Sequence, residues 1–160
     1  MIERLLPGAE HLQNIHPLVV HFPIAFTFGA AALYLAAAAA RNDSITWAGF
    51  WMLVLGAAGA VVSAASGLYA GEGVMVAPSV RDALLENHEH LMIAVTVGVV
   101  ALAAWAFVAR PMPKRARSVF LAGLVALCVV MALGADYGGR MVYDYNAGGD
   151  ACGQPIDFSK

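Results

Sequence analysis

The chain has 160 residues, of which 61% are hydrophobic and only 12% are charged, and its formal net charge is −2. Soluble domains carry charge on roughly a quarter of their residues, so this composition excludes an ordinary water-soluble protein. We expect one domain over residues 1–160 that lies in a lipid bilayer. No nucleic-acid partner is expected, because the chain has no excess of basic residues.

Four apolar blocks, taken in chain order, set the predicted fold: residues 17–40, 45–70, 91–109 and 119–135. Each block is close to the ~20 residues with which an α-helix crosses ~30 Å of hydrocarbon, and the alternation typical of β-barrel strands is absent. The residues before the first block lack the pattern of a cleaved signal, so the first helix should remain. The sequence therefore predicts an all-α integral membrane protein, a four-helix antiparallel bundle. Cys128 and Cys152 are too far apart to be expected to form a disulfide.

The links between the blocks differ in charge, which predicts the orientation of the bundle. Arg41 follows the first block. The third link carries Arg110, Lys114, Arg115 and Arg117. The second link is mainly acidic. Because basic links stay in the cytoplasm, we expect a multi-pass protein of the bacterial inner membrane with both termini and the second link in the periplasm.

This orientation gathers histidines at the periplasmic ends of the helices. His16 and His21 open the first helix, and His88 and His90 lie just before the third apolar block. Five residues turn a helix through about 500°, so His16 and His21 should point ~140° apart and cannot share one metal ion. Each needs a partner from another helix, and His88 and His90 are the nearest candidates.

Imidazoles that reach across a bundle from different helices can hold haem b between two axial nitrogens. We therefore expect these four histidines to be metal ligands, His21 with His88 or His90 first, around one haem b near the periplasmic face. Two haems placed side by side are the alternative. The same imidazoles also suit zinc or copper. A histidine at the membrane boundary is also often only a polar cap that bonds water or a carbonyl.

A second polar cluster, GADYGGRMVYDY, follows the fourth block. Asp136 and Arg140 are four residues apart and can pair on one helix face. Arg140 lies on the side where haem propionates would emerge, and Tyr137 is either an interface anchor or a hydrogen-bond partner of a propionate. Glu89, beside the histidines, either orients an imidazole or faces water. These four residues complete the predicted cofactor-binding set.

Small residues are dense in the second and fourth blocks. Gly67 and Gly71 form one GxxxG pair, and Gly134 and Gly138 form another. In lipid such residues allow helix backbones to approach closely, which would also suit a homodimer. The alternative is that a bare helix face leaves room for a flat cofactor ring, and the sequence leaves both interpretations open.

The stretches IHPLVVHFPIAF, NHEHLM and GADYGGRMVYDYNAG resemble a widespread family of bacterial four-helix membrane proteins catalogued as a domain of unknown function. The resemblance extends over residues 15–148, and its specific parts are the HPLxVHFP pattern and the glycine-tyrosine motif within GADYGGRMVY. It implies the four-helix fold and places His16, His21 and Arg140 at motif positions. The central histidine of the family matches either His88 or His90. Some relatives carry attached cytochrome c domains, which implies a role in electron transfer.

We therefore expect an electron carrier or subunit rather than an enzyme with its own substrate. It would pass electrons between a periplasmic cytochrome and a membrane partner such as quinone or a respiratory complex. Two alternatives stay open at this point. One is a non-redox accessory subunit of a membrane complex, and the other is a membrane protein that binds zinc or copper on its periplasmic side.

Overall fold

The computed structural model describes residues 15–74 and 76–147. The described residues form four long helices: α1 (His16–Ala40), α2 (Asp43–Gly73), α3 (Pro78–Ala109) and α4 (Arg117–Tyr145). None of these residues forms a strand, and all four helices are long and apolar enough to cross a membrane. The predicted all-α, four-helix fold is confirmed. Cys152 lies outside the described residues, and Cys128 is a buried free thiol.

At one end of the bundle the helices extend beyond the apolar blocks. α2 continues to Gly73 and α4 to Tyr145. α3 opens with one turn and a π-helical turn, Arg81–Leu85, before its regular part, Glu86–Ala109. Hydropathy marks only the part of a helix that contacts hydrocarbon, whereas backbone hydrogen bonds continue into the polar layer. This end, where α1 and α3 begin and α2 and α4 finish, is called the histidine end below.

At the opposite end, strong local signals fix a tight turn between α1 and α2. Arg41 adopts the left-handed conformation that often ends a helix, with φ of 52°. Asn42 then caps α2, since its side-chain oxygen accepts hydrogen bonds from the backbone N–H groups of Ser44 and Ile45 at 2.9 and 3.2 Å. A two-residue link of this kind makes α1 and α2 antiparallel neighbours.

Pro23 lies inside α1, and the helix is disturbed one turn before it. His16–Val19 forms a first helical turn, Val20 is a turn residue, and the helix resumes over His21–Ala40. Pro23 lacks the N–H that would bond the carbonyl of residue 19, so the disturbance falls within the preceding turn. The ring is buried against α2, where a Cβ added to Gly59 would lie 3.2 Å from the Pro23 nitrogen.

The core is an apolar column to which all four helices contribute. Tyr34, Leu53, Val99 and Phe120 are fully buried in it. Tyr34 and Phe120 meet edge to face with ring centroids 5.1 Å apart, and the Tyr34 hydroxyl donates to the carbonyl oxygen of Pro111 across 2.8 Å. Each helix packs on its neighbour around the bundle, but α1 packs on α4 over fewer residues than on α2. The α1–α4 contact is therefore the looser of the two.

Candidate functional site

At the histidine end, one histidine of each pair points into the bundle and the other points out. His16 on α1 and His88 on α3 are partly buried, whereas His21 and His90 are exposed. A spacing of five residues, or of two, turns the second side chain of each pair well away from the first. The structure therefore turns His16 and His88 towards neighbouring helices and does not gather the four predicted ligands in one copy of the chain.

His88 bonds α3 to α4. Its Nδ1 lies 2.7 Å from the carbonyl oxygen of Gly134. A carbonyl oxygen only accepts hydrogen bonds, so Nδ1 carries the hydrogen and Nε2 of the neutral ring keeps its lone pair. The ring also lies against Gly138, where an added Cβ would be 3.0 Å from Cε1 of the imidazole. The second GxxxG pair thus provides both the acceptor and the bare surface that His88 needs.

His16 makes the corresponding contact between α1 and α2. Its Nδ1 lies 3.1 Å from Oγ of Ser66, and that hydroxyl donates its hydrogen to the Ser63 carbonyl oxygen across 3.0 Å. Ser66 therefore accepts from Nδ1 of His16, which places the ring hydrogen there and the lone pair on Nε2. The ring lies against Gly67, where an added Cβ would be 2.8 Å from Cε1.

At both glycine pairs, the space beside the helix is therefore filled by a side chain of a neighbouring helix and not by its backbone. Gly71, one turn beyond Gly67 on α2, contacts the Glu89 carboxylate. Because residues four apart share a helix face, His16 and Glu89 occupy successive positions on the same face of α2. In the described residues the glycines make room for side chains of neighbouring helices, and the interpretation in which they make room for a cofactor ring stays a prediction.

His16 and His88 are close enough to interact electrostatically. Two imidazoles are sufficient as the axial pair of a haem, whereas zinc sites use three or four protein ligands. Within residues 15–74 and 76–147, no three histidine, cysteine, aspartate or glutamate side chains come together to hold a metal ion. The zinc or copper alternative therefore has no assembled donor group in this part of the chain.

Arg81 holds the C-terminus of α2 in place and was not predicted as a site residue. Its guanidinium Nη2 donates to the carbonyl oxygen of Val74 at 2.9 Å and to that of Gly71 at 3.5 Å. The Gly71 oxygen also accepts from the Val74 N–H at 3.4 Å. Both carbonyls lie at the negative end of the helix, where a cation is stabilising. Because Arg81 also begins the π-helical turn that leads to Glu89, it links the end of α2 to α3, the helix that carries His88 and Glu89. A lone basic residue in an acidic link was the available signal.

The second polar cluster differs from the prediction. Nε of Arg140 lies 3.6 Å from Oδ2 of Asp144, and these side chains are 49% and 51% exposed. The predicted pairing with Asp136 is wrong, because α4 continues to Tyr145 and so offers Arg140 a carboxylate on its polar side as well. Asp136 instead lines a groove between α1 and α4. Tyr137 packs against a small apolar cluster of Val80, Leu84, Leu85 and Met141.

Residues 12–151 of the chain match a family model described as "Predicted membrane protein (DUF2231)". No curated protein matches the chain, and no solved structure matches it. The matched range includes all four helices, His16, His88 and the second polar cluster. By this match over most of its length, and in agreement with the resemblance seen in the sequence, the chain belongs to the DUF2231 family of predicted membrane proteins.

Proposed function

We propose that this protein is a membrane electron carrier that binds one haem b through His16 and His88. The observation that carries the proposal is the way in which both rings are held. Each comes from a different helix, and each is bonded at Nδ1 to an oxygen of the neighbouring helix. Metal-ligating histidines are usually held in this way, because the bond at one nitrogen fixes the ring and makes the other a better ligand.

The proposed ligand pair replaces His21 by His16, since His21 is exposed on the outside of α1. Bound haem would supply a one-electron iron couple. The chain would contribute Nε2 of His16 and of His88 as ligands, and the Ser66 hydroxyl and Gly134 carbonyl would keep the two rings oriented. The apolar core beneath would exclude water.

Three further residues have proposed roles at this end of the bundle. Arg140 remains the proposed partner of the propionates, and Tyr137 a second one, because both lie where α4 reaches the histidine end. Glu89 is the proposed partner of an imidazole, since its carboxylate lies one helical turn from His16 on the face of α2. Asp136 lies in the groove between α1 and α4 and is left out of the proposed haem site.

The proposed orientation places the histidine end and both termini in the periplasm. Basic residues concentrate at the opposite end, around Arg41 and the link that follows α3. Acidic residues concentrate near the start of α3, where Asp82, Glu86 and Glu89 lie. The positive-inside rule relates this asymmetry to the bacterial inner membrane. A periplasmic cytochrome would then exchange electrons at the histidine end, and quinone or a respiratory complex would be the membrane partner.

A second function is favoured by the same hydrogen bonds. The contact from His16 to Ser66 fastens α1 to α2, and the contact from His88 to Gly134 fastens α3 to α4. Hydrogen bonds between helices stabilise membrane bundles modestly, by about 0.6 kcal/mol on average. In this alternative the histidines only fasten helix pairs, and the protein is a non-redox accessory subunit.

Absorption spectra of the purified protein, oxidised and then reduced with dithionite, separate the two functions. A haem protein should show a Soret band and a b-type α-band after reduction. His16→Ala and His88→Ala should each remove or shift the α-band, whereas His21→Ala and His90→Ala, on the outside of the same two helices, should leave it unchanged.

Free imidazole is the decisive control. If His88 is a ligand, imidazole added to His88→Ala should restore the α-band, because the small ring can enter the vacated position. Helix fastening would not respond in this way. A well-folded wild-type protein that shows no Soret band, even after haemin is added, would support the accessory subunit.

A further inference from the structure

A groove lies on the side of the bundle between α1 and α4, where these two helices are less tightly packed. Its volume is about 680 Å³. Phe28, Ala31 and Leu35 line it from α1. Val129, Ala132 and Asp136 line it from α4. The small alanine side chains leave an open space, and the larger side chains form its edges. The groove opens at the side of the bundle, which would face lipid in a bilayer. The lining is apolar except at the end where Asp136 lies.

The register of the two helices places a second polar group at the same end. Sγ of Cys128 lies 3.9 Å from the carbonyl oxygen of Thr27, so these residues are level. α1 and α4 are antiparallel, so the histidine end lies towards lower numbers on α1 and towards higher numbers on α4. Six residues from the level of Thr27 and Cys128, the helices reach His21 and residue 134. His21, Phe28 and Leu35 are spaced seven residues apart. Seven residues complete almost two helical turns, so each side chain is rotated by only about 20° from the previous one and all three lie on one stripe of α1. Asp136 therefore lines the polar end of the groove, and His21, which is not itself a lining residue, continues the α1 stripe of Phe28 and Leu35 towards that end.

Asp136 is an exposed carboxylate that directly follows the fourth apolar block and lines one end of the groove. Its neighbour one turn away, Arg140, is paired with Asp144. In the described part of the chain Asp136 has no ion pair. An ionisable group at such a position is costly unless it finds a partner, and it commonly marks a site of function. The partner that suits a carboxylate beside an apolar groove is a hydrogen-bond donor attached to an apolar chain.

Charge disfavours two of the membrane components that could fill the groove. An anionic phospholipid headgroup would be repelled by the Asp136 carboxylate. A second copy of the chain, related by a two-fold axis along the membrane normal, would bring two such carboxylates to the same depth. A quinol fits better, because its headgroup is neutral, carries two hydroxyl donors and is attached to a long apolar tail.

We propose that the groove between α1 and α4 binds the reduced form of an isoprenoid quinone. One hydroxyl of the headgroup donates to the Asp136 carboxylate, and His21 supplies the second polar contact. The tail lies along the apolar part of the groove, which from Asp136 to Val125 is about 16 Å long at 1.5 Å per residue. This deepens the proposed function by naming its membrane partner, and its role in electron transfer rests on that function. Binding itself depends on the groove alone.

Photolabelling with an azido derivative of a short-chain quinol tests the site directly. The protein is placed in phosphatidylcholine nanodiscs under argon, so that the quinol stays reduced without an added reductant that would also reduce the azide. Samples with and without haem are photolysed, and the labelled peptides are mapped by mass spectrometry. We expect label on α1 and α4 near His21 and Asp136, and competition by an unlabelled quinol with a ten-carbon tail. If the groove is labelled but haem-treated protein shows no Soret band, the quinol site stands and the haem proposal fails. If a Soret band appears but the groove is not labelled, the haem proposal stands and the quinol site fails.

Two variants and two matched controls complete the test. Asp136→Asn removes the charge and should weaken competition by the quinol about tenfold. Ala132→Trp fills the groove and should abolish labelling. Asp82→Asn and Ala104→Trp make the same changes on exposed parts of α3 and should alter neither result. Label that is spread evenly over the lipid-facing surface, or displaced equally well by phosphatidylglycerol, would overturn the proposal. The proposal would also be overturned if Ala132→Cys formed a cross-linked dimer in which the quinol no longer labels the groove.

Discussion

Nδ1 of His88 and the carbonyl oxygen of Gly134 are 2.7 Å apart across the contact between α3 and α4. The bond joins residues that are 46 positions apart in the sequence, and the ring that makes it rests on Gly138 one turn further along α4. A glycine pair and a histidine thus form one interlocking contact. The contact orients the imidazole and at the same time fastens the two helices.

Gly138→Ala should destabilise the bundle because the new methyl group would meet the His88 ring. An added Cβ lies 3.0 Å from Cε1 and 3.1 Å from Nδ1 of that ring, so the ring must move and its bond to Gly134 must lengthen. We expect a loss of about 1–3 kcal/mol in the free energy of unfolding, measured by thermal unfolding in detergent. Gly123→Ala on the same helix is the matched control, since its nearest contact is Leu102 at 3.8 Å. If the two substitutions lowered the free energy of unfolding equally, the contact between the His88 ring and Gly138 would be contradicted.

Gly67→Ala should have the corresponding effect at the other histidine. The added Cβ would lie 2.8 Å from Cε1 of His16, so the imidazole must leave its place beside Ser66. The free energy of unfolding should fall by about 1–3 kcal/mol. Gly73→Ala, at the end of α2 with no atom within 4 Å of its added Cβ, should cost much less. A Gly67 variant as stable as the Gly73 variant would show that the ring does not rest on α2.

His88→Ala should weaken the bundle more than His90→Ala. The first removes the hydrogen bond to Gly134 and leaves a cavity over Gly138, whereas the second truncates a side chain that is exposed. Hydrogen bonds between membrane helices contribute about 0.6 kcal/mol on average and up to about 1.7 kcal/mol. Unfolding in mixed detergent and SDS micelles measures the difference. Indistinguishable unfolding curves for the two variants would mean that the bond contributes nothing to stability.

Arg81→Met should loosen the last turn of α2 without unfolding the bundle. The substitution keeps an unbranched apolar stem and removes the donors to the carbonyls of Gly71 and Val74. We expect faster amide hydrogen exchange near the end of α2 and the start of α3, with little change in the membrane-spanning core. Arg140→Met, which removes only a half-exposed pair with Asp144, is the control and should leave exchange in α2 unchanged. Unaltered exchange in the Arg81 variant would show that this cap is dispensable.

The proposed orientation predicts which end of the bundle is accessible from outside the cell. Asp82→Cys at the histidine end and Lys114→Cys at the opposite end are both exposed positions. In a background without Cys128 and Cys152, an impermeant maleimide should label the first in intact spheroplasts and the second only after permeabilisation. The reverse pattern would invert the bundle and remove a periplasmic cytochrome as its partner.

The fold could be predicted from the sequence because helix length and hydropathy are local properties. Four blocks of about 20 apolar residues permit few alternatives in a bilayer, where every backbone hydrogen bond must be made within the protein. The bounds were less well predicted. Residues 78–90 are polar enough to resemble a loop, yet they begin α3 because Arg81 and the cluster around Leu84 and Leu85 hold them as helix.

The candidate site could be predicted only in part. The sequence identified the four histidines, and helical spacing alone separated His16 from His21. Which ring of each pair faces a neighbouring helix depends on how far the helices rotate about their axes, and a hydropathy pattern that is apolar nearly all round carries little information on rotation. The sequence could not predict the ion-pair partner of Arg140 either, because Asp136 and Asp144 each lie four residues from it on the same helix face.

The sequence by itself determined that this chain is a four-helix membrane protein with its histidines at one end, because length, hydropathy and order along the chain are sufficient for that. Only the tertiary structure decided that His16 rests on Gly67, that His88 rests on Gly138, and that Asp136 borders a groove. These contacts join residues that are 50 or more positions apart, or that belong to helices distant in the chain. Their formation depends on close packing between helix surfaces, which no single segment specifies.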